Sequence, residues 1–138
     1  GAAVGLTAGL VSGALFTYKF VVQSMRRNFL VRMFSEKYLK EQLKELEVFE
    51  RKSKVMSDAE SKAASVRALD NMYEKTHEMK KNLPTYLAAF EKDYDGKQIP
   101  KEDIDAVQKL LDGVISSIEK VKKQTSASNW TKLASVMN

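Results

Sequence analysis

Residues 26–83 read RRNFLVRMFSEKYLKEQLKELEVFERKSKVMSDAESKAASVRALDNMYEKTHEMKKNL and contain neither proline nor glycine. Nothing in this stretch therefore interrupts a helix. Its apolar residues recur three or four positions apart, the period of one helix face, at Leu39, Leu43, Leu46 and Phe49 and then at Ala59, Ala63, Val66, Leu69 and Tyr73. We predict a long charged amphipathic helix over residues 24–83, of the kind that forms a coiled coil or lies along a partner helix.

The sequence leaves open whether this helix is continuous. Large apolar residues are scarce between Arg51 and Ser57. Ser57 followed by Glu60 matches a capping box, in which the two side chains bond each other's backbone N–H groups at a helix start. This pattern favours a second helix that starts after Ser57, although one unbroken helix also fits the spacing of the apolar residues.

Residues 84–124 are predicted to form a turn and a C-terminal helix. Pro84 ends or kinks the preceding helix, and Asp95-Gly96 is a strong turn signal. Pro100 suits the start of a helix, where its missing N–H would have had no partner. The apolar face of the C-terminal helix comprises Ile104, Val107, Leu110, Leu111, Val114, Ile115, Ile118 and Val121.

The fold class that these patterns predict is all-α. No stretch of the chain alternates apolar and polar residues as a half-buried strand does. Residues 101–123 are expected to form a helical hairpin with the long helix that precedes them. Residues 125–138 are expected to be a polar tail with a short helix, in which Trp130 could anchor on a partner.

The N-terminal residues 1–18, GAAVGLTAGLVSGALFTY, are uncharged and have a glycine at every fourth position from Gly1 to Gly13. Residues four apart share one helix face. Each glycine would weaken a helix in water by roughly 1 kcal/mol relative to alanine, whereas in lipid the backbone must satisfy its own hydrogen bonds and the helix persists. We therefore predict a transmembrane helix over residues 1–23, with a helix-packing face formed by Gly1, Gly5, Gly9 and Gly13.

The residues that follow this run suit the surface of a bilayer. Tyr18 and Lys19 match an aromatic belt and a snorkelling lysine, and Arg26 and Arg27 mark the exit from the membrane. The chain carries a net charge of +5, and this basic cluster favours contact with anionic lipid headgroups. Further along, charges of both signs alternate, so nucleic acid is not an expected partner. A signal peptide or a buried soluble helix is the alternative interpretation of residues 1–18.

No set of residues predicts a chemical reaction. The chain has no cysteine, which excludes disulfides and thiol catalysis. His77 is the only histidine, and its place among charged residues predicts a solvated helix position rather than a metal ligand. We therefore expect a protein that is not an enzyme and uses no cofactor and no small-molecule substrate.

The segment FEKDYDGKQIPKED, residues 90–103, is similar to a calcium-binding EF-hand loop. Gly96 falls where such a loop turns sharply. Gln98 stands where that loop has an apolar residue, and an acidic turn before a helix is the simpler interpretation. Any metal ligands here would be Glu91, Asp93, Asp95 and Glu102.

A glycine-spaced span followed by a charged amphipathic helix resembles subunit e of the mitochondrial ATP synthase, over residues 1–49. The resemblance implies a role in the membrane part of that enzyme, in the mitochondrial inner membrane, where such spans pack together and support dimerisation and membrane curvature. Gly5, Gly9 and Gly13 are the positions that would carry this role. The implied partners are other subunits of a membrane complex and membrane lipid.

The sequence supports three further functions. The chain could be an accessory subunit of a respiratory-chain complex, which would keep the architecture and change the partner. It could be a calcium-binding module tethered to the membrane by residues 1–23. It could also be a coiled-coil scaffold that self-associates through residues 24–83.

Overall fold

Helices account for nearly the whole of the chain that the computed structural model describes, which is residues 19–20, 23–25, 27–53 and 58–123. Residues 19–20 and 23–24 are helical, and no strand occurs within the described ranges, so the all-α prediction is confirmed for them. The further elements, in chain order, are α1 (Phe29–Phe34), a π-helix (Ser35–Leu39), α2 (Lys40–Ser53), α3 (Asp58–Lys81), α4 (Leu83–Leu87), a 3-10 helix (Ala88–Tyr94) and α5 (Lys101–Lys123).

The first long helix starts at a side-chain cap and contains a wide turn. The Asn28 side chain accepts a hydrogen bond from the backbone N–H of Val31 at 3.1 Å, which satisfies a donor at the start of α1. The backbone stays right-handed helical through Ser35 and Lys40, so α1, the π-helix and α2 form one continuous helical segment. Phe34 and Leu39 lie five residues apart and are both fully buried, and the extra residue in the π-helical turn brings both to one face.

α3 folds back along this segment. Tyr38 and Gln42 line the same pocket as Ala68 and Met72. In one straight helix at 1.5 Å per residue, Gln42 and Met72 would be separated by about 45 Å. A single helix over residues 24–83 is therefore excluded, and the alternative of two helices is the one observed.

Several of the apolar residues within residues 24–83 are buried in this chain's own core. Leu39, Ala63, Val66 and Leu69 are fully buried. Leu43 and Tyr73 are partly buried against the same core. The side chains of Leu46, Phe49 and Ala59 and the Ser57 cap lie outside the described residues.

The connection between α3 and α5 has its helix boundary and its turn at the residues predicted from the sequence. Pro84 stands in the first turn of α4, and the 3-10 helix ends at a turn in which Asp95 and Gly96 take left-handed backbone angles, φ 53° and 74°. Glycine adopts that conformation without steric cost. α5 begins at Lys101, directly after Pro100, as predicted.

α5 runs antiparallel to α3. Lys80, at the end of α3, pairs with Asp112 in the middle of α5 at 2.6 Å. Lys122, at the end of α5, pairs with Asp70 in the middle of α3 at 2.9 Å, so the two helices run in opposite directions. The buried side chains of α5 are those of Val107, Leu110, Leu111, Val114, Ile115 and Ile118. The result is a three-helix bundle of α1–α2, α3 and α5, with α4 and the 3-10 helix packed beside α1. Val121 belongs to the predicted face, and its side chain is not among those described.

Candidate functional site

The residues predicted to form and flank a membrane span fall mostly outside the described part of the chain, namely Gly1, Gly5, Gly9, Gly13, Tyr18 and Arg26. Lys19 pairs with Glu47 of α2 at 2.9 Å, and Arg27 is exposed at the turn before α1. Among the helices that the structure describes, none combines the length and the apolar character that crossing a bilayer requires. The span over residues 1–23 stays a prediction.

The four carboxylates proposed as calcium ligands are exposed and spread over three elements. Glu91 and Asp93 lie in the 3-10 helix, Asp95 lies in the turn and Glu102 lies in the first turn of α5. Within the described ranges, no three acidic or histidine side chains are grouped so that they could hold a metal ion. His77 is exposed and its ring contacts Tyr73 edge-on at 4.5 Å.

The turn that resembles a calcium loop instead forms one wall of a groove of about 700 Å³. α4 and the start of α5 also line this groove. Leu83, Leu87 and Ile99 are buried there, and Ile104 is partly buried beside them. The volume and the apolar base fit a site for a small or medium-sized molecule.

Charged side chains surround this groove. Lys80 is held by Asp112. Lys92 and Lys97 form no ion pair with any described residue, and Glu91 adds one negative charge. The groove therefore combines an apolar base with a basic edge.

An aromatic cluster fixes the α4 side of the groove to the first helix. Tyr38 lies 5.0 Å from Tyr86, 5.9 Å from Phe90 and 5.0 Å from Phe34, measured between ring centroids. The Tyr38 hydroxyl also donates a hydrogen bond to the backbone carbonyl of Tyr86 at 3.3 Å. The pairs of Tyr38 with Tyr86 and with Phe90 are edge-on, and such pairs add roughly 0.5–1.5 kcal/mol each beyond the apolar area that they bury.

A second, smaller pocket of about 280 Å³ lies between α2 and α3. Gln42 lines it with only 7% of its surface exposed. Its Oε1 and Nε2, like Ser35 Oγ in the π-helix, are buried and have no hydrogen-bond partner among the described residues. A buried polar group without a partner costs about 1–3 kcal/mol, so Gln42 requires an explanation.

The tyrosines with a raised pKa join elements of the bundle. Burial, followed by a hydrogen bond to Asp103 at 3.0 Å, raises the pKa of Tyr94 to about 12. The hydrogen bond to Glu119 raises the pKa of Tyr73, and burial raises the pKa of Tyr38. In each case the surroundings favour the protonated phenol.

Sequence reasoning missed both the groove and Gln42. The signal for Gln42 was present, because it stands three residues after Leu39 and four before Leu46, among apolar residues of the same face. A polar residue at such a position is usually taken as solvated, and only its burial shows otherwise. The groove left no local signal, because its walls come from segments that are brought together by the fold.

No protein-family model, curated protein sequence or solved structure matches this chain.

Proposed function

We propose that this protein is a non-catalytic accessory subunit of a large mitochondrial inner-membrane complex. The complex that we favour is ATP synthase, in whose membrane part the subunit would lie. The observation that carries the proposal is the glycine at every fourth position from Gly1 to Gly13, in an uncharged run that precedes a helical bundle. Such a face lets a neighbouring helix approach closely within a bilayer. The bundle then serves as the part of the subunit outside the membrane.

The bundle's polar contacts support a structural role. Tyr73 donates a hydrogen bond to Glu119 at 3.0 Å, which ties α3 to α5. Tyr94 donates to Asp103, which ties the 3-10 helix to α5. Groups whose pKa is shifted at an active site usually converge on one cleft, whereas these phenols lie at separate junctions between helices.

The larger groove supports a contact with lipid. Its buried leucine and isoleucine side chains suit an acyl chain. Lys92 and Lys97 at its edge complement an anionic headgroup. Membrane lipid and neighbouring subunits are accordingly the proposed partners.

The other functions have less support. A coiled-coil scaffold needs a free apolar face, and Val66 and Leu69 of that face are buried against this chain's own core. A calcium module needs converging carboxylates, and the described carboxylates do not converge.

The test is Gly9→Leu in the full chain, followed by gentle detergent extraction, native electrophoresis and mass spectrometry of the band. We expect the substitution to remove the protein from its complex, because bulk on the glycine face blocks close helix packing. Val11→Leu adds bulk outside that face and serves as the control.

The partners in the wild-type band identify the complex. Co-migration with ATP synthase subunits supports the full proposal, and co-migration with respiratory-chain subunits supports the accessory role while rejecting ATP synthase as its site. Wild-type protein that migrates alone, or Gly9→Leu protein that stays in the complex in normal amount, contradicts the proposal.

A further inference from the structure

The N-terminal part of the chain joins the bundle near the end of α2, far from the start of α1. Lys19 Nζ pairs with Glu47 Oε1 at 2.9 Å, whereas Asn28 donates a hydrogen bond to Asp103 at the start of α5. Glu47 and Asn28 are separated by about 28 Å along the continuous helical segment that contains α1 and α2. Residues 1–18 are therefore attached at the end of the bundle where Lys19 lies.

The last turn of α5 lies at this same end. Glu45 of α2 lies near Ala68 of α3, because both line one pocket. Asp70, two residues further along α3, pairs with Lys122 of α5. α2 therefore passes the last turn of α5 as it approaches its own end. We call this end of the bundle, where α2 and α5 finish, the Lys19 end; the starts of α1 and α5 form the opposite end.

Exposed apolar side chains occur at the Lys19 end. Phe20 and Val48, which each follow one member of the ion pair in the sequence, are 63% and 39% exposed. The other large apolar side chain that is exposed among the described residues, Phe29, lies at the opposite end and packs edge-on against Tyr94. Burying exposed apolar side chains just below the headgroups of a bilayer is favourable.

Basic side chains accompany these apolar ones. Arg51, Lys120 and Lys123 are exposed in the last turns of α2 and α5, and none of them forms an ion pair with a described residue. The first turn of α5, at the opposite end, instead carries Glu102 and Asp103. The helix dipole also favours lysine at the end of a helix, but it does not account for exposed apolar side chains there. Together these features complement an anionic lipid surface.

From these observations we infer that the Lys19 end of the bundle contacts the surface of the membrane crossed by the proposed N-terminal span. Phe20 and Val48 lie below the headgroups, and the exposed lysines of α5 lie among anionic headgroups. The span leaves the bilayer at or before Lys19, because the partner of Lys19 belongs to the bundle. This inference rests on the proposed function, which makes the N-terminal run a membrane span.

This orientation differs from the one that the sequence alone suggests, in which Arg27 marks the exit from the membrane. Arg27 directly precedes Asn28 and is exposed at the opposite end of the bundle. The larger groove is also nearer to that end, since Ile104 at the start of α5 lines it. A lipid held in the groove would therefore be a single bound molecule, apart from the bilayer.

Quenching by spin-labelled lipid tests which end meets the bilayer. The chain has no cysteine, so Val48→Cys and Asp105→Cys each place one bimane probe, the second at an exposed position near the start of α5. Each labelled full chain is reconstituted in vesicles of phosphatidylcholine and phosphatidylglycerol that contain nitroxide-labelled lipid. We expect several-fold stronger quenching of the probe at position 48 than at position 105. Equal quenching, or the reverse order, overturns the inference.

Lys120→Glu with Lys123→Glu, combined with the probe at position 48, tests the contact with anionic lipid. Reversing two charges near an anionic surface is expected to weaken the contact roughly tenfold or more and so to reduce the quenching. The matched control is Arg27→Glu with Lys101→Glu, the same charge change at exposed positions of the opposite end, which should leave the quenching unchanged. Equal quenching in the two double variants would contradict the contact, as would undiminished quenching of the parent protein in phosphatidylcholine alone.

Alkaline carbonate extraction of the same vesicles separates this inference from the proposed function. If carbonate releases the wild-type protein, residues 1–18 do not span the bilayer, and the proposed function and the inference fail together. If the protein resists extraction while the probe at position 105 is quenched as strongly as the probe at position 48, or more strongly, only the inference is rejected.

Discussion

Asp103 is the side chain at which three segments of the bundle meet. Its Oδ1 accepts a hydrogen bond from Asn28 Nδ2 at 3.1 Å, and its Oδ2 accepts one from the Tyr94 hydroxyl at 3.0 Å. Asn28 at the same time caps α1. One carboxylate therefore fixes the starts of α1 and α5 and the end of the 3-10 helix relative to one another, which also fixes one end of the larger groove.

Asp103→Ala removes both hydrogen bonds and is expected to lower the free energy of unfolding by about 1–3 kcal/mol. The dependence of the free energy of unfolding on alkaline pH should change too. Because the folded-state pKa of Tyr94 is raised to about 12, its contribution is complete below the unfolded value of about 10 and is lost as the pH rises from about 10 to about 12. Asp103→Ala lowers that folded-state pKa, so the loss of stability over this pH range becomes smaller.

Chemical denaturation at neutral and alkaline pH measures both effects. Glu102→Ala is the control, since it removes the same charge from the same helix turn at an exposed position, and it should cost less than about 1 kcal/mol. Equal costs for the two variants would mean that the Asp103 hydrogen bonds do not stabilise the bundle.

The π-helix is the element whose geometry departs most from its neighbours, and the spacing of the core residues explains it. Leu30, Phe34 and Leu39 are fully buried at successive spacings of four and five. A spacing of five in a regular α-helix would turn Leu39 about 140° away from Phe34. The extra residue per turn of a π-helix restores both to the core. The Ser35 hydroxyl, at the start of the π-helix, has no hydrogen-bond partner among the described residues.

Deletion of Glu36 should therefore be tolerated, because it shortens the spacing of Phe34 and Leu39 to four and lets α1 and α2 join as a regular α-helix. Deletion of Glu74, also exposed, should unfold the protein or destabilise it severely, because it turns Met79 by about 100° relative to Leu69. Thermal unfolding followed by circular dichroism measures both. If the two deletions are equally damaging, the π-helix does not set the register of the first helix.

At the scale of the molecule, one core joins every part of the bundle. Leu30 of α1, Leu69 of α3, Leu83 of α4, Phe90 of the 3-10 helix and Leu110 of α5 belong to a single cluster of buried side chains. None of these five elements can lose its place without exposing part of that cluster, and Leu43 of α2 packs against it. The bundle should consequently unfold as one cooperative unit.

Leu110→Ala tests whether the bundle unfolds as one cooperative unit. Leu110 is fully buried, and its truncation should cost about 2–5 kcal/mol through lost burial and a residual cavity. The neighbouring exposed Lys109→Ala should change stability by less than about 0.5 kcal/mol. We expect unfolding curves from circular dichroism and tyrosine fluorescence to shift together, and two separated transitions would contradict a shared core.

The amino-acid sequence alone determined the helical class, the turn at Asp95-Gly96, the start of α5 after Pro100 and most residues of its buried face. These features depend on backbone preference and on neighbours within one or two helical turns, which the sequence displays directly. The glycine-spaced run of residues 1–18 likewise rests on the sequence, and its role in a membrane stays a prediction.

The tertiary structure decided which helices meet. An apolar face at helical spacing can pack on a partner protein or fold back on its own chain. Removing apolar surface from water lowers the free energy in either arrangement. Only the fold assigned Val66 and Leu69 to an internal core, placed Gln42 in a pocket beside α3, and brought α4 and the turn at Asp95 together as the walls of a groove. Each of these depends on contacts between residues distant in the chain, which local periodicity does not specify.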